Sequence, residues 1–343
     1  MRKILFICGS LNQTMMLNKI SKHLDTKYDC YFTPYFADGL IGNLTKKGFL
    51  DFTVLGGKPR KDTENYIKTN NLKLDFAGSK NNYDLYITCS DLIVPAGLKN
   101  KKVILIQEGM TDPENLLYYI VKYMKLPRYI ASTSTTGLSN KYDYFCVASE
   151  GYKNLFIKKG CKPEKIIVTG IPNFDNCISF SNNDFLYENY VLVCTSDSRE
   201  TYKYENRKKF ILNAVKIADG RQIIFKLHPN EKTERAIKEI KTYAPGSLVF
   251  YEGNTNHMIA NCDVLITKYS SVVYVGLALD KEVYSYFKIE NLKKLLPVQN
   301  DGNSAKNIAR VCEFHLNSIL EKNSDYDDRI LRNIPGNSVL NFQ

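Results

Sequence analysis

The sequence lacks any apolar run that approaches the roughly 18 residues needed to span a membrane. A short apolar run at residues 4–8 follows Arg2 and Lys3, but Gly9 interrupts it before it reaches the length of a signal peptide. We therefore expect a cytoplasmic protein. Its net charge of +11 would support peripheral contact with the inner face of the cell membrane.

The spacings of common metal and redox sites are also missing. The nine cysteines are spread along the chain in mostly apolar surroundings, and none forms a Cys-x-x-Cys pair. This favours buried thiols in a reducing compartment over disulfides or zinc. Asp325 and Asp327 lie in a charged tail and not after a strand, so we expect neither a metal nor a cofactor.

Two classes of partner lack support. The loop at residues 9–14 follows the first apolar run without the Gly-x-Gly-x-x-Gly pattern of dinucleotide-binding proteins. The lysines are scattered, with no arginine-rich block, so we expect no nucleic acid as a partner. The positive charge favours another anionic partner: nucleotide phosphates, an acidic glycan or lipid headgroups.

Short apolar runs alternate with helical segments along most of the 343 residues, which is typical of a doubly wound α/β fold. The alternation stops at residues 170–175 and restarts at Tyr190. We predict two Rossmann-like domains with an interdomain cleft. Residues 1–178 would form the acceptor side with the catalytic base, and residues 184–322 would bind the nucleotide donor. The tail, residues 323–343, would pack back on the first domain.

Three predicted strands of the second half, at residues 190–194, 222–227 and 264–267, end in polar sequence. Because ligands bind at the carboxyl ends of parallel strands, we expect the residues there to bind the donor and its phosphate. The candidates are Thr195, Arg199, Lys226, His228, Pro229, Ser270 and Ser271.

His228 and the two serines are the strongest of these candidates. Pro229 favours an extended backbone at His228, whose imidazole there can donate to a departing phosphate oxygen. Ser270 and Ser271 precede an apolar helical segment at residues 272–279, and a helix N-terminus attracts phosphate. Two plainer interpretations stay open: a histidine with a structural role, and serines that only cap a helix.

In the first half, a predicted strand at residues 102–106 ends at Gln107, Glu108 and Gly109. The glycine lets the backbone turn, and a carboxylate at a strand end is a candidate general base. We predict Glu108 as the base, with Gln107, Gly109 and Ser10 of the first loop on the acceptor side. The plainer interpretation is a glutamate that caps a helix or closes a turn.

Residues 226–229 (Lys-Leu-His-Pro) and 266–272 (Ile-Thr-Lys-Tyr-Ser-Ser-Val) resemble the second-domain motifs of the CDP-glycerol glycerophosphotransferase family. They are also similar to the His-Pro and Ser-Ser motifs of bacterial sialyltransferases and Kdo transferases. These enzymes have the two-Rossmann GT-B architecture and use cytidine-activated donors. Residues 107–109 match two positions of the sialyltransferases' acidic-acidic-Gly motif. The resemblance implies Glu108 as base, with His228 and the two serines holding the donor phosphate.

Residues 168–175 also resemble the interdomain motif of the UDP-N-acetylglucosamine 2-epimerase superfamily, which shares the fold. Two differences distinguish the chain from these families. Lys268 stands where the glycerophosphotransferases usually have aspartate. Residues 270–272 replace the epimerases' Ser-Gly-Gly and no Glu-Glu pair follows, which counts against epimerase chemistry.

We therefore predict a metal-independent transferase that moves a sugar or polyol phosphate from a nucleotide-activated donor, CMP- or CDP-linked, to a glycan or lipid-linked glycan. A glycosyl group moved in a single displacement would invert its configuration. The resemblance implies a setting in capsule, lipopolysaccharide or teichoic-acid-like polymer synthesis. The alternatives are an epimerase-like isomerase, which needs no acceptor, and a non-catalytic subunit that binds a nucleotide sugar without turnover.

Overall fold

The computed structural model describes residues 1–200 and 204–317. The chain divides into two compact units. The first comprises Met1–Asp175 and the segment that begins at Pro297, and the second comprises Asn176–Leu296. Each unit contains one parallel sheet with crossover helices, which confirms the prediction of an α/β protein with two Rossmann-like domains.

The first unit is built on a seven-stranded sheet in which every pair of neighbours is parallel. In chain order its strands are β1 (Lys3–Cys8), β2 (Asp29–Pro34), β3 (Lys73–Leu74), β4 (Leu85–Thr88), β5 (Val103–Ile106), β6 (Tyr144–Val147) and β7 (Ile166–Val168). Their spatial order is β3-β2-β1-β4-β5-β6-β7. The winding therefore reverses between β1 and β4, and such a reversal opens a crevice at the carboxyl ends of the strands.

Helices join these strands, because parallel neighbours cannot be connected by a tight turn. They are α1 (Leu11–Ser21), α2 (Gly39–Lys46), α3 (Gly57–Thr69), α4 (Leu116–Tyr123) and α5 (Glu150–Lys159). The helix α3 begins at Gly57, with Gly56 as its N-cap residue. Pro59 fits there because the first turn of a helix needs no backbone N–H from it.

The second unit repeats the design with five strands in the order β10-β9-β8-β11-β12. These are β8 (Val191–Cys194), β9 (Ile223–Lys226), β10 (Leu248–Phe250), β11 (Val264–Ile266) and β12 (Glu282–Tyr284). Its helices are α6 (Arg207–Ala218), α7 (Thr233–Tyr243), α8 (Thr255–Asn261), α9 (Val273–Ala278) and α10 (Ile289–Lys294). The apolar sides of α6 and α7 pack on β8, β9 and β11, so the sheet face beneath them is dry.

The chain then returns to the first unit and ends its described part in α11 (Ser304–Asn317). The Asp175 carboxylate accepts hydrogen bonds from the backbone N–H groups of Asn300 and Ser304, each at 2.6 Å, and so caps the start of α11. At the other end, Arg2 donates to the carbonyl of Leu316 at 2.7 Å. Both ends of the helix are thus satisfied by the first unit.

This corrects the predicted domain boundary. Residues 184–322 were all expected in the second domain, but α11 belongs to the first unit. The pattern of apolar residues predicts a helix, yet it does not say against which sheet the helix packs. The tail at residues 323–343, expected to pack on the first domain, lies outside the described residues. Within the described ranges, no helix is long and apolar enough to cross a membrane.

Gly170 allows the returning segment to approach closely. Its φ is +71°, and a Cβ there would lie 2.3 Å from Ser304 Oγ and 2.6 Å from Asn300 Nδ2. Backbone strain alone makes us expect Gly170→Ala to lower the free energy of unfolding by about 1–3 kcal/mol, and the clash adds to this. Thermal unfolding followed by circular dichroism would measure the loss.

Gly220 is the matched control, because its φ is +83° but a Cβ there would meet no atom within 4 Å. Gly220→Ala carries the strain without the clash, so it should lower the melting temperature less. Equal losses at the two glycines would contradict the proposed close approach.

Candidate active site

Glu108 lies two residues after the end of β5, and its carboxylate is held by residues at the start of α1. Ser10 Oγ donates to Oε1 at 3.2 Å, Asn12 Nδ2 donates to Oε1 at 3.3 Å, and Gln13 Nε2 donates to Oε2 at 2.5 Å. The carboxylate is partly exposed, so its position is fixed while a ligand can still reach it. The structure therefore brings Ser10 and Glu108 together, as the sequence analysis placed them.

Gln107 and Gly109 shape the turn that carries Glu108. The Gln107 side chain is buried; its Nε2 donates to the carbonyl of Gly109 at 2.8 Å, and its Oε1 accepts from the N–H of Ala148 at 2.9 Å. Gln107 thus ties the turn to the end of β6. Its role is to hold the loop, and its polar atoms are engaged by backbone.

Asn12 and Gln13, in the first turn of α1, were not predicted; only Ser10 of this segment was expected at the site. The Gln13 side chain can reach Glu108 because it packs against Gly9, which has no side chain. A Cβ at Gly9 would lie 2.1 Å from Gln13 Oε1. The signal available in the sequence was position alone, since both residues follow the end of β1. Ser10 also accepts from the Gln13 N–H at 3.2 Å and caps α1.

The second candidate site lies at the carboxyl edge of the five-stranded sheet. Because β8 lies between β9 and β11, the ends of these strands are side by side at a spacing of about 4.8 Å. Thr195 follows β8, His228 follows β9, and Ser270 with Ser271 follows β11. The topology therefore places the three groups of predicted residues at one edge, on both sides of the point where the winding reverses.

His228 has a defined environment. The backbone N–H of Asn230 donates to Nδ1 at 3.2 Å, so Nδ1 is an acceptor and a neutral ring carries its proton on Nε2. Burial lowers the pKa of His228, and Lys226 acts in the same direction against the opposing Asp197 carboxylate, 3.7 Å from Nδ1. The imidazole is thus neutral at pH 7, with Nε2–H available as a donor.

Arg199 and Lys226 do not fit their predicted role as phosphate ligands. Arg199 makes two hydrogen bonds to the Glu239 carboxylate, at 2.7 and 2.8 Å. Lys226 Nζ is buried and donates to the carbonyls of Leu227 and Tyr251, at 3.2 and 3.3 Å. Both cations are held inside the second unit, because a strand-end position does not fix the direction of a long side chain.

Arg199 belongs to a group of buried and partly buried charges in the second unit. The group, called the charge cluster below, consists of Arg199, Glu205, Arg207, Glu231 and Glu239. Arg207 contacts both Glu205 and Glu231, and the side chains of these three are at most 3% exposed. Thr195, expected at the donor, donates to the Glu231 carboxylate. Pro229 is exposed at the turn that follows β9.

The serines are arranged differently from the prediction. The helix begins at Val273 and has six residues; Val272 is its N-cap residue and makes no side-chain capping bond. Ser270 Oγ accepts only a long bond, 3.5 Å, from the N–H of Val272. A helix of this length adds little dipole, so we assign any contribution of Ser270 and Ser271 to their partly exposed hydroxyls.

All nine cysteines are buried and none forms a disulfide, which confirms the expectation of buried thiols. Burial raises the pKa of the Cys8 thiol to about 12 and that of Cys89 well above its usual range, with the Glu108 carboxylate adding to the latter. These thiols are therefore protonated and unreactive beside the first site. Among the described side chains, no group of three or more His, Cys, Asp or Glu could hold a metal ion.

A family model described as CDP-Glycerol:Poly(glycerophosphate) glycerophosphotransferase matches residues 97–290. The match covers more than half of the chain and includes Glu108, His228 and both serines. The chain belongs to this family. It is therefore a transferase that uses a nucleotide-activated donor. A search of curated proteins found no match.

Solved structures with the same fold include a protein in complex with UDP, an epimerase and a polymerase. The S. aureus MnaA–UDP co-structure has a TM-score of 0.57 and 13% identity, covering 95% of this chain and 100% of that one. UDP-GlcNAc 2-epimerase from Neisseria meningitidis bound to UDP-GlcNAc has a TM-score of 0.56 and 13% identity, covering 91% and 99%. The H444N variant of the wall teichoic acid polymerase TagF has a TM-score of 0.53 and 12% identity, covering 93% and 90%. At these identities the likeness shows the fold alone, the predicted GT-B architecture.

The charge cluster leads us to predict that Arg207 is important for stability. Arg207→Met would leave the buried carboxylates of Glu205 and Glu231 without their nearest cation. We expect a loss of about 3–5 kcal/mol in the free energy of unfolding, the usual cost of removing one partner of a buried ion pair. Arg221→Met is the control, because exposed Arg221 binds only two helix carbonyls. Chemical denaturation would compare them, and equal losses would show that the cluster carries no special stability.

Proposed function

We propose that the chain transfers a sugar or polyol phosphate from a CMP- or CDP-linked donor to a glycan in the synthesis of a bacterial surface polysaccharide. The observation that carries the proposal is the carboxylate of Glu108, fixed by three donors at the carboxyl edge of the first sheet. Family membership supports the class of donor, since the family's description names CDP-glycerol.

In this proposal Glu108 takes the proton of an acceptor hydroxyl as its oxygen attacks the donor. The bond from the transferred group to the nucleotide phosphate breaks, and the nucleotide leaves with the electron pair. A positioned base contributes about 10²–10⁴-fold in rate. A glycosyl group moved in this single step inverts its configuration, whereas a polyol phosphate has no anomeric centre.

His228 would stabilise the leaving nucleotide. Its Nε2–H would donate to a phosphate oxygen as negative charge grows there, and the hydroxyls of Ser270 and Ser271 would add two donors from the end of β11. These groups make a metal unnecessary in the proposed mechanism. The match of the family model across residues 97–290 favours transfer over the isomerase alternative, which would need no acceptor.

Glu108→Gln tests the base directly. The amide keeps the shape of the carboxylate but cannot accept the proton, so we expect kcat to fall by about 10²–10⁴-fold. The melting-temperature shift caused by CMP, CDP or UDP should stay as in the unmodified protein, because the nucleotide contacts would remain. Glu114→Gln, an exposed glutamate on the segment after β5, should leave kcat unchanged. Full activity of Glu108→Gln would remove Glu108 from the mechanism.

We also propose that α4 and the residues after it contact an anionic membrane surface. Several large apolar side chains of this segment are exposed, among them Leu116 (76%), Tyr123 (75%) and Met124 (67%). Lys122 and Lys125 are interleaved with them. A helix that exposes apolar side chains beside basic ones is typical of peripheral attachment to anionic lipid. A lipid-linked acceptor would then lie in the plane of the same membrane.

Sedimentation with phosphatidylglycerol-containing vesicles tests this surface. The protein should sediment with these vesicles and less with neutral ones, because the basic side chains add electrostatic attraction. Replacing Leu116, Tyr123 and Met124 together by serine should lower the bound fraction at least about tenfold, since roughly 0.8 kcal/mol is lost per CH₂ removed from lipid. Leu186→Ser, at a 91% exposed leucine elsewhere, is the control. Equal binding by all variants would exclude α4 as the contact.

A further inference from the structure

The turn that carries His228 is anchored to a carboxylate buried in the charge cluster. Residues 228–231 read His-Pro-Asn-Glu, and the N–H of Glu231 donates to the carbonyl of His228 at 3.0 Å, which closes a β-turn with proline at its second position. The backbone of the turn is exposed at Pro229 and Asn230. The Glu231 side chain, however, points inward and is fully buried.

Thr195 connects this carboxylate to His228. The N–H of His228 donates to Thr195 Oγ1 at 3.0 Å, and the same hydroxyl donates to Glu231. Arg207 holds the other oxygen of the Glu231 carboxylate. The hydroxyl of Thr195 is therefore used as both acceptor and donor, and it fixes the backbone of His228 relative to the end of β8.

The imidazole is oriented by the same turn. Asn230 donates its N–H to Nδ1, and its side-chain Nδ2 donates to the Asp197 carboxylate at 3.1 Å. The ring can therefore present only Nε2 to a ligand. If the turn moved, the bond from Asn230 to Nδ1 would be lost, and the ring could carry its proton on either nitrogen.

We propose that Thr195 and Glu231 are positioning residues, which hold His228 so that Nε2–H faces the donor phosphate. This inference rests on the proposed function of His228. It changes the assignment of Thr195, which we had expected to touch the donor itself. It also separates Glu231 from the rest of the charge cluster, because Glu231 bonds both to Arg207 and to the residue that holds His228.

The alternative is that Glu231 only balances the charge of Arg207. Burial raises the pKa of Glu231, and Arg207 and Thr195 oppose that rise. A purely electrostatic role would make stability depend on Glu231 but would leave the imidazole unchanged. The test must therefore report on the imidazole itself as well as on turnover.

Thr195→Val removes the hydroxyl with little change in volume, and Thr195→Ser retains it. With donor at saturation we expect Thr195→Val to lower kcat by about 10–100-fold, with KM for the donor changing less than threefold, and Thr195→Ser to recover most of the rate. Glu231→Gln should lower kcat in the same way. The controls are Thr242→Val and Glu234→Gln, at exposed positions of α7.

Nitrogen NMR of histidine-labelled protein supplies the second readout. With four histidines in the chain, His228→Gln assigns its signal. The unmodified protein should show the Nε2–H form at pH 7, and Thr195→Val should show a mixture of both forms. If Thr195→Val keeps the pure Nε2–H form and full activity in a folded protein, the positioning role is overturned.

The NMR readout does not require turnover, so it separates the two hypotheses. A mixed tautomer in Thr195→Val together with full activity of His228→Gln would support the positioning of the ring and reject its role at the donor. A loss of activity in His228→Gln with no effect of either Thr195 variant would leave the donor role standing and reject Thr195 and Glu231 as positioning residues.

Discussion

Parallel pairing of the strands is the constraint on which both candidate sites depend. A parallel strand needs a crossover, so all carboxyl ends of a sheet meet at one edge, while both faces are covered by helices. A polar side chain on a helix-covered face of the sheet would lose its hydration, whereas one in the loop after a strand keeps contact with water. Glu108 follows β5 and His228 follows β9, so each lies at the carboxyl edge of its own sheet. Each is then oriented by residues that follow another strand of the same sheet: β1 for Glu108 and β8 for His228.

The two sites differ in how their central group is held. Glu108 is bound by neutral donors from one loop, and Gly9 provides the space that lets Gln13 reach it. His228 is held through a turn whose anchor is a buried carboxylate. The first arrangement leaves a partly exposed carboxylate; the second leaves a neutral ring whose Nε2 bonds to none of the described residues. The two groups therefore differ chemically: a carboxylate can accept a proton, and a neutral imidazole can donate a hydrogen bond.

The strands that carry the candidate residues were predictable because each is a short apolar run that ends at small or polar residues, whereas β3 has only two residues and no such run. Glu108, His228 and the serines could be located for the same reason, since their positions at strand ends follow from the backbone alone. The direction of a side chain does not follow from its position. Lys226 ends β9, yet its long side chain turns back to two carbonyls. Arg199 likewise turns to Glu239, a partner 40 residues away.

The packing of α11 on the first unit could not be predicted from the sequence either. The helix α11 was predicted as a helix, but its place on the first unit depends on Asp175, which caps it, and on Gly170, which leaves room for Ser304. Residues 170–175 matched a known interdomain motif without revealing that they receive a later part of the chain. The contact lies more than 120 residues apart in sequence, and no local pattern encodes a partner at that separation.

Lys268 shows how the same edge can change charge without changing shape. Its carbonyl accepts from Ser285 Oγ at 3.1 Å and from the N–H of Tyr286 at 3.4 Å, so its backbone is fixed by the loop after β12 whatever side chain it carries. Its Nζ lies 5.7 Å from the centre of the Tyr269 ring, a contact that a cation favours and an anion does not. Replacing the family's usual aspartate by lysine therefore adds two units of positive charge beside Ser270 while the loop is retained. This strand edge is consequently more attractive to anions than it would be with aspartate at position 268, although Arg199 and Lys226 are held inside.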